Sequence, residues 1–188
     1  MTEQSFTLFE TSIGACGIVW SERGIKAARL PEPDAEAMRA QLMRRFPNAI
    51  EAAPPTVIQK AIDDIVALLN GERCDFADVT LDDDDVPDFN KRVYTIARAI
   101  PPGETLTYGE VAEKLGDKAL ARAVGVALGQ NPFPPIVPCH RILAASGKTG
   151  GFSAPGGVTT KLRMLTIEKA APGGPTLFDA LPLEARRA

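Results

Sequence analysis

Cys139 and His140 stand side by side, and His140 is the only histidine among 188 residues. A thiol becomes a nucleophile when a neighbouring base or cation lets it ionise, so this pair could make or break a covalent bond. The segment carrying it runs Gln130-Asn-Pro-Phe-Pro-Pro-Ile-Val-Pro-Cys-His-Arg-Ile-Leu143, with prolines at 132, 134, 135 and 138. Proline fixes φ and removes a backbone donor, which makes the approach to Cys139 stiff and irregular. Adjacent side chains usually point apart, so a relay between the two needs a water or a third group. The opposing reading is that Cys139 is a small buried apolar residue, as most free cysteines are. The pair alone leaves both readings open.

A third group is available further along. The spacing predicts a last helix over about Val158–Lys169, with Val158, Leu162 and Leu165 inward. Glu168 follows Leu165 by three positions and falls on the same side. The helix macrodipole disfavours a carboxylate at that end, and a buried carboxylate needs a partner. The single histidine is the natural one; the alternative is an exposed terminal glutamate. Between the two lies Lys148-Thr-Gly-Gly-Phe-Ser-Ala-Pro-Gly-Gly157, too rich in glycine for a regular element. It reads as a loop offering backbone N–H groups to a ligand.

The elements that must position these residues begin at Asp88. Phe89, Val93, Ile96 and Ile100 form a helical stripe stopped by Pro101-Pro102-Gly103. Thr107 and Glu110 make a capping box at the start of a short helix through Leu115. Gly116-Asp117 turns the chain, and a further helix runs from about Lys118 to Gly129. Helix, glycine-containing turn, helix is the helix-turn-helix pattern. In the second helix Leu120, Ala123, Val124, Ala127 and Leu128 face inward, while Ala121, Arg122, Gly125, Val126 and Gly129 face out. Glycine inside a helix costs about 1 kcal/mol against alanine, so two on one exposed face need a reason. Close approach of a nucleic-acid groove is one; tight packing on another helix is the other.

The first half reads as a small α+β support unit. Short strands are expected at Phe6–Phe9, Gly17–Trp20 and Lys26–Leu30, and one more over 74–81. Asp34 caps a helix ending near Phe46, with Met38 and Leu42 on one face. A second helix starts on a Thr56/Gln59 capping box, carries Ile58, Ile62, Ile65 and Leu69 as its stripe, and closes at Gly71. The run Asp82–Asp85 reads as a solvated linker, giving units at 1–84 and 88–171 and a loosely ordered tail at 172–188.

Composition narrows the classes. A hydrophobic fraction of 45% and a charged fraction of 24% suit a globular protein. No apolar run approaches the roughly 18 residues of a membrane span, and the first residues lack the basic start and apolar core of a signal peptide. Three widely spaced cysteines (16, 74 and 139) suggest reduced thiols in a cytosolic compartment. With one histidine and no cysteine pair at ligand spacing, no metal site is expected. The net charge of −3 hides an asymmetry: residues 1–88 carry 8 basic and 17 acidic side chains, a balance of −9, while residues 89–188 carry 13 and 7, a balance of +6. A basic half is a mild pointer to a polyanionic partner.

Several motifs then line up in order. Ile100-Pro-Pro-Gly-Glu-Thr-Leu-Thr-Tyr-Gly-Glu-Val-Ala112, Arg122-Ala-Val-Gly125, Asn131-Pro132 and Ile136-Val-Pro-Cys-His-Arg141 resemble the O6-alkylguanine-DNA alkyltransferases, the methylated-DNA–protein-cysteine methyltransferases. The resemblance covers about residues 88–170. It implies an α+β fold in which a small RNase H-like N-terminal unit precedes a mainly helical, winged-helix-like unit carrying the helix-turn-helix. It also implies a monomer acting on double-stranded DNA containing O6-alkylguanine, in the cytoplasm on the chromosome, without metal or cofactor.

Carried onto this chain, the resemblance makes Cys139 the acceptor of the alkyl group from a flipped-out guanine. His140 becomes a water-mediated base polarised by Glu168, so that Cys139 reacts as a thiolate. Asn131 ties the helix-turn-helix to the active-site loop, and Tyr108 supplies a proton to the leaving guanine. Arg122 enters the base stack, with Ala121, Ala123 and Gly125 beside it against DNA. The carbonyls of Cys139 and Ile142 accept from the guanine amine, while Ser153 presents its N–H near O6 and Phe152 walls the pocket. Two departures stand out: the loop Gly150–Gly157 is about two residues longer than the family's usual Gly-Tyr-Ser-Gly-Gly form, and Phe152 stands where tyrosine is common. A damage sensor that binds alkylated DNA without reacting is the alternative from another class. A Cys-His hydrolase is a third, and it lacks a histidine separate from the cysteine.

Overall fold

Three strands, the central one buried on both faces from Cys16 to Ser21, form the first unit: β1 (Ser5–Thr11), β2 (Gly14–Ser21) and β3 (Gly24–Arg29). They are seen in a computed structural model that describes residues 3–170. β1 pairs antiparallel with β2, and β2 with β3, so that Phe6, Val19 and Ala27 line up across the sheet. That row meets Met38 and Leu42 of α1 (Ala35–Arg45), whose first turn is capped by the Asp34 side chain accepting from the Ala37 N–H. Gly17 is needed beneath this helix, because a Cβ there would come within 2.8 Å of the Leu42 side chain. The other face carries Cys16, Ile18 and Ile25 and packs on Ile58, Ile62 and Ile65 of α2 (Thr56–Leu69). Successive side chains point to opposite faces, and with a helix on each face the central strand is buried on both.

Four expectations change here. A short strand β4 (Ile50–Glu51) joins β1 in parallel, giving the order β3-β2-β1-β4, whereas residues 74–81 form no strand and only Leu81 bridges to Ile25. Arg98 instead holds that segment by donating to the carbonyls of Phe76 and Val79. Thr56 is not a cap: Pro55 holds that place in extended conformation, so Thr56 is already helical, and Gln59 donates to Asp63. The acidic run is solvated only after its first residue. Asp82 is buried, accepting from the Ser21 hydroxyl at 2.6 Å and pairing with Lys26 at 3.3 Å. Asp83, Asp84 and Asp85 pair with Lys91, Arg23 and Lys26. Finally, Val158 is 40% exposed; Lys161 and Met164 take the inward positions of the last helix.

The helical half is as expected in its start signals. α3 (Asp88–Arg98) buries Val93, Tyr94 and Ala97. The Thr107 capping box with Glu110 is formed at α4 (Tyr108–Lys114), and Gly116, at φ +104°, makes the turn. The next helix begins as a 3-10 turn, Lys118–Leu120, with the Asp117 carboxylate accepting from the Ala119 N–H at 2.8 Å. It continues as α5 (Ala121–Gly129), held to α3 where the Tyr94 hydroxyl donates to the Ala127 carbonyl at 2.8 Å. Two short parallel strands, β5 (Leu106–Thr107) and β6 (Ile142–Leu143), tie the start of α4 to the segment after Cys139. α6 (Gly157–Ile167) closes the described chain. Ile18, Ile62, Val93, Val124 and Ile142 belong to one apolar cluster, so a single core runs through both halves. The expected tail, 172–188, lies outside the described residues.

Candidate active site

The loop after α5 is fixed before it reaches the cysteine. Asn131 is buried; its side chain donates to the Val137 carbonyl at 2.8 Å and accepts from the Phe133 N–H at 2.9 Å. The Pro132 carbonyl accepts from the Ala28 N–H of β3 at 2.8 Å, which anchors the loop to the sheet. With prolines unable to donate, these bonds satisfy the segment and leave one path for the chain. Cys139 then opens a short 3-10 turn, Cys139–Arg141, and is 9% exposed.

Behind it, His140 is fully buried, and its Nε2 lies 2.8 Å from the Glu168 Oε1. Nδ1 is buried and has no hydrogen-bond partner among the described residues. Burial pulls the imidazole below its ordinary value, against the raising effect of Glu168. Burial pushes Glu168 up, but the bond to His140 and the Arg141 guanidinium outweigh it and take the carboxyl down to about 2. Arg141 donates twice to Glu168, each bond 2.9 Å, and also to the Ile100 carbonyl at 2.6 Å. A buried carboxylate with a bidentate arginine is what makes that charge tolerable. Gly103, at φ +88°, donates to Glu168 as well, and a Cβ there would come within 3.1 Å of the Glu168 carbonyl.

Lys161 was not expected in the site. It is fully buried, donates to the Ile142 carbonyl at 2.6 Å and the Gly151 carbonyl at 3.4 Å, and lies 5.9 Å from the Tyr108 ring centre. Burial lowers its pKa to about 8, with Cys139 acting in the raising direction. Burial in turn pushes the Cys139 thiol up, while the Asn131 side chain, Lys161 and backbone N–H groups pull it down. The signal for Lys161 was its spacing: four residues before Leu165, it shares the inward face of α6.

The expected site residues converge only in part. A cavity of about 710 Å³ is lined by Cys139, Tyr108, Arg122, Phe152, Ser153 and Gly125, among others, with Ala121 also on its wall. Arg122 is exposed at its edge. Ala123 is half-buried on the inner side of α5 and does not line it. Ile142 is wholly buried, and its carbonyl already accepts from Lys161. Among the described residues no cluster of three or more His, Cys, Asp or Glu could hold a metal, and no helix is long and apolar enough to cross a membrane.

A helix-turn-helix whose second helix flanks a cavity floored by a cysteine, with a histidine–carboxylate pair behind it, defines a DNA-directed protein with a covalent acceptor. Residues 88–170 match the family of the 6-O-methylguanine DNA methyltransferase DNA-binding domain. The methylated-DNA–protein-cysteine methyltransferase of Mycobacterium tuberculosis is 45% identical over 126 residues, covering 66% of this chain and 74% of that protein. Its counterpart in Methanothermobacter thermautotrophicus is 36% identical, covering 81% and 78%. The crystal structure of Mycobacterium tuberculosis OGT in complex with DNA superposes with a TM-score of 0.73 at 31% identity, over 97% of this chain and 98% of that one. The chain belongs to the methylated-DNA–protein-cysteine methyltransferase family.

Proposed function

We propose that this protein repairs DNA by moving an alkyl group, methyl above all, from O6 of guanine to its own Cys139, irreversibly and once per molecule. The observation that carries this reading is the cavity of about 710 Å³ that joins Cys139 to Tyr108 and Arg122 on the helix-turn-helix face, with His140 and Glu168 behind the sulfur. A base inside a duplex cannot reach such a floor, so the damaged guanine leaves the stack, at a cost of a few kcal/mol. Arg122, exposed at the rim, takes the vacated space in the duplex. The small outer residues Ala121 and Gly125 let α5 lie close to the sugar-phosphate walls; Ala123 belongs to this role only through the backbone beside it. Such contacts are independent of sequence, as repair requires.

Transfer is a displacement at carbon. The Cys139 proton passes through water to His140 Nδ1, and the imidazolium formed is stabilised by Glu168. The sulfur attacks the alkyl carbon, the bond to O6 breaks, and its electron pair goes to guanine. Tyr108, whose hydroxyl is kept protonated by burial and by the nearby Cys139, supplies the guanine proton. Lys161 stabilises the thiolate and fixes the Ile142 carbonyl, which with that of Cys139 receives the guanine amine. Phe152 and Ser153 form the wall, the Ser153 N–H near O6, and Asn131 sets the loop. The product is a thioether, a poor leaving group, so turnover stops.

The same reading takes residues 1–84 as an RNase H-like support unit, on the strength of the three-stranded meander with β4 parallel to β1. Residues 88–171 are the acceptor unit, winged-helix-like by the β5–β6 pair beside α4 and α5. The protein acts as a monomer on the chromosome, in the cytoplasm. Incubation with a duplex containing one O6-methylguanine should add one CH₂ to the protein mass, mapped to Cys139. Unchanged mass with retained binding would mean a damage sensor instead.

A further inference from the structure

A second cavity, of about 360 Å³, reaches the same sulfur from the N-terminal side, and its chemistry differs from that of the first. Cys139, Gly129, Phe152 and Ser153 line both, so the wall of the Gly150–Gly157 loop stands between two openings onto one atom. The first is predominantly apolar and faces the helix-turn-helix. The second is walled by Arg29 at the end of β3 and by Gln41 and Arg45, four residues apart on one side of α1. The Arg29 Nε and the Gln41 Oε1 are buried there without any hydrogen-bond partner. Arg45 is exposed at the edge. Glu32 is the nearby carboxylate, and it accepts from the other end of the Gln41 amide at 2.7 Å; among the described residues neither arginine has a carboxylate within ion-pair distance.

A buried guanidinium donor with no acceptor costs free energy, and a carboxylate is the group its geometry fits. The reaction also dictates where such a carboxylate must come from. In an in-line displacement the attacking sulfur, the carbon and the departing O6 are collinear, so any remaining substituent on that carbon projects sideways from the axis. With guanine in the first cavity, the second, which Cys139 also lines, offers enclosed volume beside the sulfur for that substituent. The bond between the Ala28 N–H and the Pro132 carbonyl fixes β3 against the active-site loop, so Arg29 keeps its place relative to the sulfur.

We propose that this second cavity seats the O6 substituent, and that Arg29 and Arg45 make the protein favour O6-alkylguanines whose alkyl group ends in a carboxylate. This rests on Cys139 being the alkyl acceptor. For O6-carboxymethylguanine the bond formed is Sγ–CH₂ and the bond broken is CH₂–O6. The electron pair leaves with guanine, guanine takes a proton, and Cys139 becomes S-carboxymethylcysteine. No oxidant or second substrate enters.

The test uses the full chain and three duplexes that differ only at one guanine: O6-methyl, O6-carboxymethyl and its neutral amide of the same size, O6-carbamoylmethyl. Single-turnover rates on the last two are each divided by the O6-methyl rate of the same protein. The carboxymethyl-to-carbamoylmethyl ratio should be roughly tenfold higher in the wild type than in Arg29→Gln/Arg45→Gln, the size expected for one charge-assisted bond. Arg45→Gln alone, a change at an exposed position, should lower the ratio part of the way, which keeps the test decisive if the double variant does not fold. Equal ratios in wild type and variants overturn the proposal. Absence of any methyl adduct on wild-type Cys139 overturns the repair reading itself, and this proposal with it.

Discussion

Each half of the molecule buries one cysteine and one carboxylate, and only one half makes them into a site. In the N-terminal sheet, Cys16 is 1% exposed and touches the Thr11 hydroxyl at 3.8 Å. Burial, with Glu10 adding to it, pushes its thiol up to about 12, against the Thr11 hydrogen bond. Asp82, the buried carboxylate of that half, is given over to Ser21 and Lys26. In the C-terminal half, Cys139 is also pushed up by burial, yet Lys161, Asn131 and backbone N–H groups oppose it, and the next residue carries a base held by Glu168. Cys139 opens on two cavities; Cys16 lines neither. Depth alone makes an inert thiol, and reactivity comes from what shares the depth.

The sharpest way to break that contrast is to remove each sulfur in turn. Cys139→Ala should abolish alkyl transfer while leaving affinity for duplex DNA within about twofold, since the proposed DNA contacts are made from α5. Cys16→Ala should leave single-turnover transfer unchanged and cost about 1 kcal/mol in urea melts, the price of a small cavity. Loss of DNA binding with Cys139→Ala, or loss of transfer with Cys16→Ala, would reverse the assignment.

Glu168 against Asp82 is the same comparison for the acids. Glu168→Gln should slow transfer by roughly 10²- to 10⁴-fold, the range for losing general-base assistance. It should also destabilise by about 3–5 kcal/mol, because Arg141 is left buried without its counter-charge. The pH dependence has a definite sign. The folded pKa of Glu168, about 2, lies below its ordinary 4.5, so its stabilisation is complete above pH 4.5 and is lost as pH falls towards 2. The full loss is on the order of 3 kcal/mol, of which about 2 kcal/mol falls between pH 6 and pH 3, and that part should be absent from Glu168→Gln when melts at the two pH values are compared. A wild type and variant that lose stability in parallel over that window would mean Glu168 is not the group titrating.

Much of this site could be read from residue spacing, and what was missed has a physical pattern. Glu168 was found because three residues separate it from Leu165 on a helix, and the Thr107–Glu110 box because both partners lie within one turn. Lys161 escapes that reading because the spacing points Val158 and Leu162 inward, whereas the helix turns Lys161 and Met164 in; a lysine beneath an apolar stripe reads as surface until its carbonyl partners are known. Asp82 was lost among four carboxylates whose partners, Ser21 and Lys26, are more than fifty residues away. The two residues of β4 carry no periodicity, and their pairing is parallel and non-local. Local rules recover what one turn or one strand decides; contacts closed through the core are not local.

On the DNA side, Arg122→Ala should slow repair of duplex by roughly tenfold or more while leaving reaction with free O6-benzylguanine near the wild-type rate, because only the duplex requires a base to leave its stack. Equal losses on the two substrates would remove Arg122 from the flipping step. Lys161 makes the opposite prediction. Lys161→Met removes a cation that favours the thiolate, so both substrates should slow, by roughly tenfold at neutral pH, and the rising limb of rate against pH should move to higher pH. An unshifted limb with a uniformly lower rate would leave Lys161 a structural post for the Ile142 carbonyl.

The smallest effects belong to the acidic run that joins the halves, where burial differs between neighbours. The Asp82 side chain is 2% exposed and accepts from Ser21, so Asp82→Asn should cost about 1–3 kcal/mol by leaving a buried hydroxyl and part of the Lys26 charge unmatched. Asp84 is 57% exposed opposite a half-exposed Arg23, and Asp84→Asn should change stability by no more than about 0.5 kcal/mol. Once folded, both variants should transfer methyl at the wild-type rate, because neither carboxylate touches the cavities that reach Cys139. A slower transfer in Asp82→Asn at full folding would show that the anchoring of the Asp82 segment to β2 and β3 sets the geometry of the sulfur, and the division between a supporting half and a reacting half would then be wrong.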